Sequence, residues 1–169
     1  GAELGWPQFR GPRDDSVAPE ANPPVQWSET QNIAWKVPIP GRGRSSPVVL
    51  GERIWMTTAI EQGVHRTRIG SDDMQTAEHV SLRAVCLDRA NGRILWEVLL
   101  FEVDKPDPVH WLNSWATPTP TVEPGRLYSL KMFTCDYQDL IRPQKKTKEQ
   151  AQPFIGRVSL EGVEVDRQR

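Results

Sequence analysis

The sequence predicts an all-β protein, and three observations carry that expectation. Short runs of alternating apolar and polar residues are separated by turn-forming residues. A nine-residue pattern occurs twice. No stretch before residue 128 shows the 3.6-residue apolar period of an amphipathic helix. Taken in order, residues 6–28 contain Pro7, Pro12, Pro19, Pro23 and Pro24. Each proline fixes φ and lacks a donor, so this stretch is expected to run extended or turned. Ile33-Ala34-Trp35-Lys36-Val37 alternates and reads as a strand. Residues 46–50 and 54–58 flank Gly51-Glu52-Arg53 as a tight hairpin. Residues 82–87 and 93–100 flank Asp88-Arg89-Ala90-Asn91-Gly92, whose Asn-Gly pair tolerates the positive φ of a hairpin turn. Residues 60–81, with Arg66, Arg68, Asp72, Asp73 and Glu78, read as a surface excursion outside the core. Residues 101–115 read as a second excursion, opened by Asp104-Lys105-Pro106-Asp107-Pro108.

The repeat narrows the architecture. Pro47-Val48-Val49-Leu50-Gly51-Glu52-Arg53-Ile54-Trp55 aligns without gaps on Pro120-Thr121-Val122-Glu123-Pro124-Gly125-Arg126-Leu127-Tyr128, offset by 73 residues. The shared pattern is P-x-V-x-x-x-R-[IL]-[WY]. Asn32-Ile33-Ala34-Trp35 pairs in the same way with Arg93-Ile94-Leu95-Trp96. Discounting about 20 residues of the first excursion and about 12 of the second leaves a period of about 41, a propeller-blade length. The expected fold is therefore a partial β-propeller. Strands near 45–50, 53–58, 82–87 and 93–99 make one full four-stranded antiparallel blade, with part of a second after it. Residues 1–128 form this region, and 129–169 are a tail without assigned structure. A lone sheet has two faces to bury, and blades answer that by stacking. Trp35, Trp55, Trp96 and Tyr128 are expected to pack between blades, with Trp55 and Trp96 largely buried.

Composition excludes several classes. The 169 residues are 37% hydrophobic and 25% charged, as in soluble globular domains. Twenty-one basic against 22 acidic residues leave a net charge of −1, which argues against a nucleic-acid surface. No apolar run approaches the roughly 18 residues of a membrane span. Cys86 and Cys135 form no C-x-x-C pair, and no metal site is expected. His65, His79 and His110 read as solvated loop histidines. No signal peptide is evident, and a start at Gly1 without Met fits a processed terminus or a cloning remnant.

The run Ala84-Val85-Cys86-Leu87-Asp88-Arg89-Ala90-Asn91-Gly92-Arg93-Ile94-Leu95-Trp96 follows A-x-x-x-D-x-x-[TN]-G-x-x-x-W. This is the blade signature of quinoprotein-like β-propellers built from pyrroloquinoline-quinone-type repeats, and residues 5–128 resemble that family. Trp6-Pro7-Gln8-Phe9-Arg10-Gly11-Pro12 and Ser45-Ser46-Pro47-Val48-Val49 are similar to members found in secreted or periplasmic bacterial proteins. The resemblance implies that Asp88 and Gly92 shape the hairpin and that Trp96 docks on the neighbouring blade. Asn91, Trp35, Pro47 and Pro120 complete the repeat motif. It also implies a periplasmic or secreted location. Quinoprotein dehydrogenases hold their quinone at the propeller centre with vicinal cysteines, a calcium ion and a catalytic Asp. This sequence has no Cys-Cys pair and its Asp88 belongs to a turn, so no cofactor is expected. After Tyr128 no second D-x-x-x-G-x-x-x-W appears. An open ring is expected to leave blade faces for self-association or a protein partner.

Two segments are candidates for binding. Gly41-Arg42-Gly43-Arg44-Ser45-Ser46-Pro47 has a surface likeness to a phosphate-binding loop, but its glycines are wrongly spaced and Pro47 opens a strand. Its two arginines suit an acidic partner. The stronger candidate is His110-Trp111-Leu112-Asn113-Ser114-Trp115, a loop with two aromatics, where Trp111 or Trp115 is expected to be more exposed than Trp55 and Trp96. No catalytic residue is expected. The function read from these features is a non-catalytic scaffold or interaction protein of the cell envelope. The alternatives are a remnant of a quinone-dependent dehydrogenase and an extracellular ligand-sensing propeller domain.

Overall fold

A computed structural model describes residues 5–130 and the strands at 155–159 and 164–168. Among these residues the protein is all-β, with antiparallel sheets, none closed, and no helix. In chain order the strands begin with β1 (Gly5–Trp6), β2 (Val48–Leu50), β3 (Arg53–Gln62), β4 (His65–Ile69), β5 (Asp72–Thr76) and β6 (His79–Asp88). They continue with β7 (Ile94–Asp104), β8 (Val109–His110), β9 (Thr121–Glu123), β10 (Arg126–Leu130), β11 (Ile155–Ser159) and β12 (Glu164–Gln168). The central sheet has the order β1-β2-β3-β6-β7; β9 to β12 form a second sheet, and β4, β5 and β8 a third.

Turn chemistry sets the two hairpins of the central sheet. Gly51 takes a φ of 57° at the first position of the β2–β3 turn, which a side chain would resist. At the β6–β7 turn the Gly92 N–H donates to the Asp88 carbonyl at 2.8 Å, with Gly92 at a φ of 73°. The Asp88 carboxylate accepts from the Ala90 N–H at 2.8 Å, and the Asn91 side chain accepts from the Arg93 N–H at 2.9 Å. Both acidic and amide side chains thus replace backbone partners that the turn leaves unmet. Trp35 packs its ring on Gly92, where a Cβ would overlap it, and its Nε1 donates to the Arg89 carbonyl at 3.0 Å.

One face of the central sheet makes the core. Val48 lies opposite Trp55, Trp55 opposite Cys86, and Cys86 opposite Trp96. The small thiol lets the two indoles close over it, with ring centroids 5.8 Å apart. Arg53 lies over the Trp96 ring at 4.5 Å. Burial pushes the Cys86 thiol up to about 12, against a smaller pull from Arg53, so it stays a protonated packing group. Ala59, Val80, Leu82 and Ala84 extend the same core, and Val122 and Leu127 of the second hairpin close it.

Several expectations need correction. Ile33 to Val37 form no strand. Trp35, Val37 and Ile39 are half-buried while Lys36, Pro38 and Pro40 are exposed, so the alternation survives as packing without a ladder. Pro38 and Pro40 have no N–H to give a neighbouring strand. The two excursions are not wholly surface. β3 and β6 run on to Gln62 and His79, β7 to Asp104, and Ala77, Val80, Val109 and Trp115 are buried. Apolar residues at their bases extend the core rather than leaving it. Trp96 is only partly buried and stacks on Trp55 of its own sheet. Within the tail, β11 pairs with β10 and β12 with β11, making the second sheet four-stranded.

Candidate ligand-binding site

The 60–81 excursion builds a hairpin with one basic face. β4 and β5 pair with Arg66 opposite Gln75 and Arg68 opposite Asp73, so the two arginines share a face. β8 adds to β5 with Val109 opposite Gln75, and one residue beyond the strand the Trp111 N–H donates to the Asp73 carbonyl at 3.1 Å. Arg68, Asp73 and Trp111 therefore form a row across three chain segments. Arg66 reaches over the Trp111 ring, 5.0 Å from its centroid. Arg66, Thr67, Arg68, Asp73 and Trp111 line an open cleft of about 330 Å³. Among the described residues no carboxylate lies within ion-pair distance of Arg66 or Arg68.

Arg42 braces Gln75 and the Trp111 backbone beside this cleft. Its Nη1 donates to Gln75 Oε1 at 2.6 Å and lies 3.8 Å from Glu61 Oε2. Its Nη2 donates to the Trp111 carbonyl at 2.8 Å and the Asn113 carbonyl at 3.3 Å. Arg42 can do this because its backbone pairs with Ala59 in both directions at 2.9 Å. Side chains at positions 41 and 43 would stand 2.5 Å from the Ala59 carbonyl oxygen and 2.7 Å from that of Thr57, so both are glycine. The acidic partner foreseen for this arginine is thus internal, Glu61. Burial raises the Glu61 carboxyl above its ordinary range, and Arg42 offsets part of that.

The 110–115 candidate divides in two. His110, Trp111 and Asn113 are half-buried, with His110 Nδ1 accepting from the Leu112 N–H at 3.2 Å. Ser114 is fully buried and Trp115 is 4% exposed. Ser114 Oγ accepts from the Ala116 N–H at 3.2 Å, and Trp115 Nε1 donates to the Asp107 carbonyl at 3.0 Å. These last two residues support the loop, and Trp111 is the more exposed of its two indoles. The motif residues Asp88, Asn91, Gly92, Trp35 and Trp96 act in turn and core, as described above. Pro47 and Pro120 sit directly before β2 and β9.

The histidines lie on strands, not in solvated loops. His79 Nδ1 is 2.8 Å from Asp104 Oδ1, and its Nε2 is 3.3 Å from the Ser81 hydroxyl. That order of contacts matches a nucleophile, base and acid set. The chemistry does not follow, because Ser81 donates to Glu102 Oε1 at 3.1 Å and is itself buried. The Asp104 bond foremost, with Glu102 adding to it, raises the His79 pKa above its ordinary 6.5. Held by two carboxylates of the neighbouring strand, His79 is a clasp between β6 and β7. Its folded-state pKa exceeds the unfolded one, so the clasp contributes fully below the unfolded pKa and fades as pH rises through the folded value. Asp104→Asn is expected to lower the His79 titration midpoint toward 6.5, read by NMR of its ring protons; an unmoved midpoint would refute the clasp.

The residues present do not fit the quinone that the family resemblance brings to mind. Cys86 is sealed beneath two indoles, and Asp88 is spent on its turn. Cys135 lies outside the described residues. Comparison of the chain with protein-family models, with curated proteins and with solved structures finds no match in any of the three. The basic cleft was missed because residues 60–81 read as a surface excursion interrupting the strands. The signal was present in His65-Arg66-Thr67-Arg68-Ile69, since period-two arginines share a face once the segment is a strand.

Proposed function

We propose that the chain is part of a non-catalytic, propeller-type repeat protein that holds protein partners outside the cytoplasm. The observation that carries this reading is how the two copies of the repeated hairpin meet. Their registers are the same: Val48, Val49 and Leu50 face Trp55, Ile54 and Arg53, as Thr121, Val122 and Glu123 face Tyr128, Leu127 and Arg126. The first copy buries the Val48–Trp55 row, whereas the second buries Val122 and Leu127, which correspond to Val49 and Ile54. Unlike faces therefore pack together. A contact between like faces ends at two units, but unlike faces leave each unit a free side, and repetition closes a ring or continues.

Two further contacts agree with an axis relating the copies. The Ser46 N–H donates to Thr119 Oγ1 at 2.9 Å, and these residues are equivalent positions 73 apart. Residues 5–7 bridge both inner edges: β1 pairs with β2, and the Pro7 carbonyl accepts from the Val122 N–H at 2.9 Å. The opposite row of the second hairpin, exposed Thr121 and half-buried Tyr128, is the side open to a further unit or partner. Location in the periplasm or outside the cell is part of the proposal and rests on the family resemblance. Sedimentation velocity is expected to show a mass above 19.2 kDa that grows with concentration. Tyr128→Glu is expected to lower that mass. A strict monomer at every concentration, or dye-linked alcohol oxidation that appears on adding pyrroloquinoline quinone and calcium, would overturn the reading.

A further inference from the structure

We propose that the cleft on the β4–β5 hairpin binds saccharides that carry a carboxylate. The site does not depend on the propeller reading, because its lining residues belong to the β4–β5–β8 sheet and to Trp111, not to the central sheet. Its parts match the three demands of an acidic sugar. A sugar ring offers a flat C–H surface, and Trp111 offers a flat indole whose backbone is already tied down. Its N–H is held by Asp73 and its carbonyl by Arg42. Ordering the platform in advance removes part of the entropy that a ligand would otherwise have to overcome. Arg66 covers part of the indole at 5.0 Å, so the sugar is placed against the surface that Arg66 leaves open.

Sugar hydroxyls need acceptors, and Asp73 lies in the same row as Trp111 with no cation at ion-pair distance among the described residues. An ionised carboxylate accepts only, which suits paired hydroxyl donors. The carboxylate of the sugar needs a planar fork of donors, which Arg66 and Arg68 supply from alternate positions of one strand. The cleft of about 330 Å³ stands at the small end of ligand pockets, a size for one or two sugar rings. Asp73 sits where a dense polyanion such as nucleic acid would be repelled, and the chain carries a net charge of −1. A neutral glycan would leave both guanidinium groups without a matching charge.

Titration calorimetry and tryptophan fluorescence on the whole chain test this with short oligogalacturonides, neutral maltooligosaccharides, galacturonate alone and inorganic phosphate. The oligogalacturonide is expected to bind about tenfold or more tighter than the neutral oligomer, from charge-assisted hydrogen bonds. Galacturonate is expected to compete weakly if a polymer end or chain is the natural ligand, and as well as the oligomer if the free acid is. Arg68→Gln and Trp111→Leu are each expected to weaken binding about tenfold with circular dichroism unchanged. Asp73→Asn separates the sugar site from a simple anion sink. It is expected to weaken oligogalacturonide binding, whereas an anion sink would bind more tightly without the aspartate. Equal binding of neutral and acidic oligomers, phosphate binding as tight as the oligogalacturonide, or wild-type affinity in the variants would overturn the proposal.

Discussion

Trp55→Ala is expected to cost about 3–5 kcal/mol of folding stability, the range for deleting a large aromatic from a packed core. Trp55 is 1% exposed and sits where three strands meet, with Val48 and Cys86 opposite it and the Trp96 ring 5.8 Å away. Removing the indole leaves a void over the Cys86 thiol and takes away the surface that Trp96 lies on. Arg53 then loses part of the ordered ring it covers. The backbone around Trp55 is locked in ladders on both sides, so the void cannot easily close. Urea denaturation followed by far-ultraviolet circular dichroism measures the loss. Trp96→Ala is expected to cost less, because its ring is only partly buried. A Trp55→Ala loss below about 1 kcal/mol would mean that this face is not the main core.

Gly92→Ala is expected to cost about 2–3 kcal/mol, combining a left-handed backbone with an added methyl in a filled space. Gly92 has a φ of 73°, and a Cβ there would overlap the six-membered part of the Trp35 ring. The two contributions can be separated. In a Trp35→Ala background the steric part disappears and the backbone part remains, so a double-mutant cycle should show coupling of about 1 kcal/mol or more. Trp35 fluorescence should also shift as the ring lifts from the turn and loses its bond to the Arg89 carbonyl. Additive losses in the cycle would show that Trp35 does not rest on Gly92.

The turn at 88–93 was legible because its chemistry is local. Asp88, Asn91 and Gly92 bond to or bend the backbone within a few residues of themselves. The repeat was legible for the same reason: a two-residue loop sets the register of the strands on either side. Residues 33–37 misled because alternation records one buried side, and both a paired strand and an unpaired extended segment bury one side. The proline pair at 38 and 40 was the available clue. The burial of Trp115 and Ser114 was not legible, because a loop holding polar and aromatic groups has no local mark of depth. His79 was read as solvated for a related reason. Asp104 and Glu102, which decide its protonation, lie across the ladder on β7.

By itself the sequence determined the all-β class, the central hairpins and the recurrence of the hairpin motif 73 residues later. These depend on side-chain alternation and on backbone conformations that Gly, Asn and Asp permit, forces that act over a few residues. Only the tertiary structure decided which row of each hairpin is buried, because two rows of similar apolarity compete and the choice follows from what packs against them. It likewise decided that Arg42 turns inward to Glu61, Gln75 and the Trp111 carbonyl while Arg66 and Arg68 face solvent. Arg66 and Arg68 lie in β4 and Arg42 in a bridge to β3, and the partners of Arg42 come from residues up to 71 positions away.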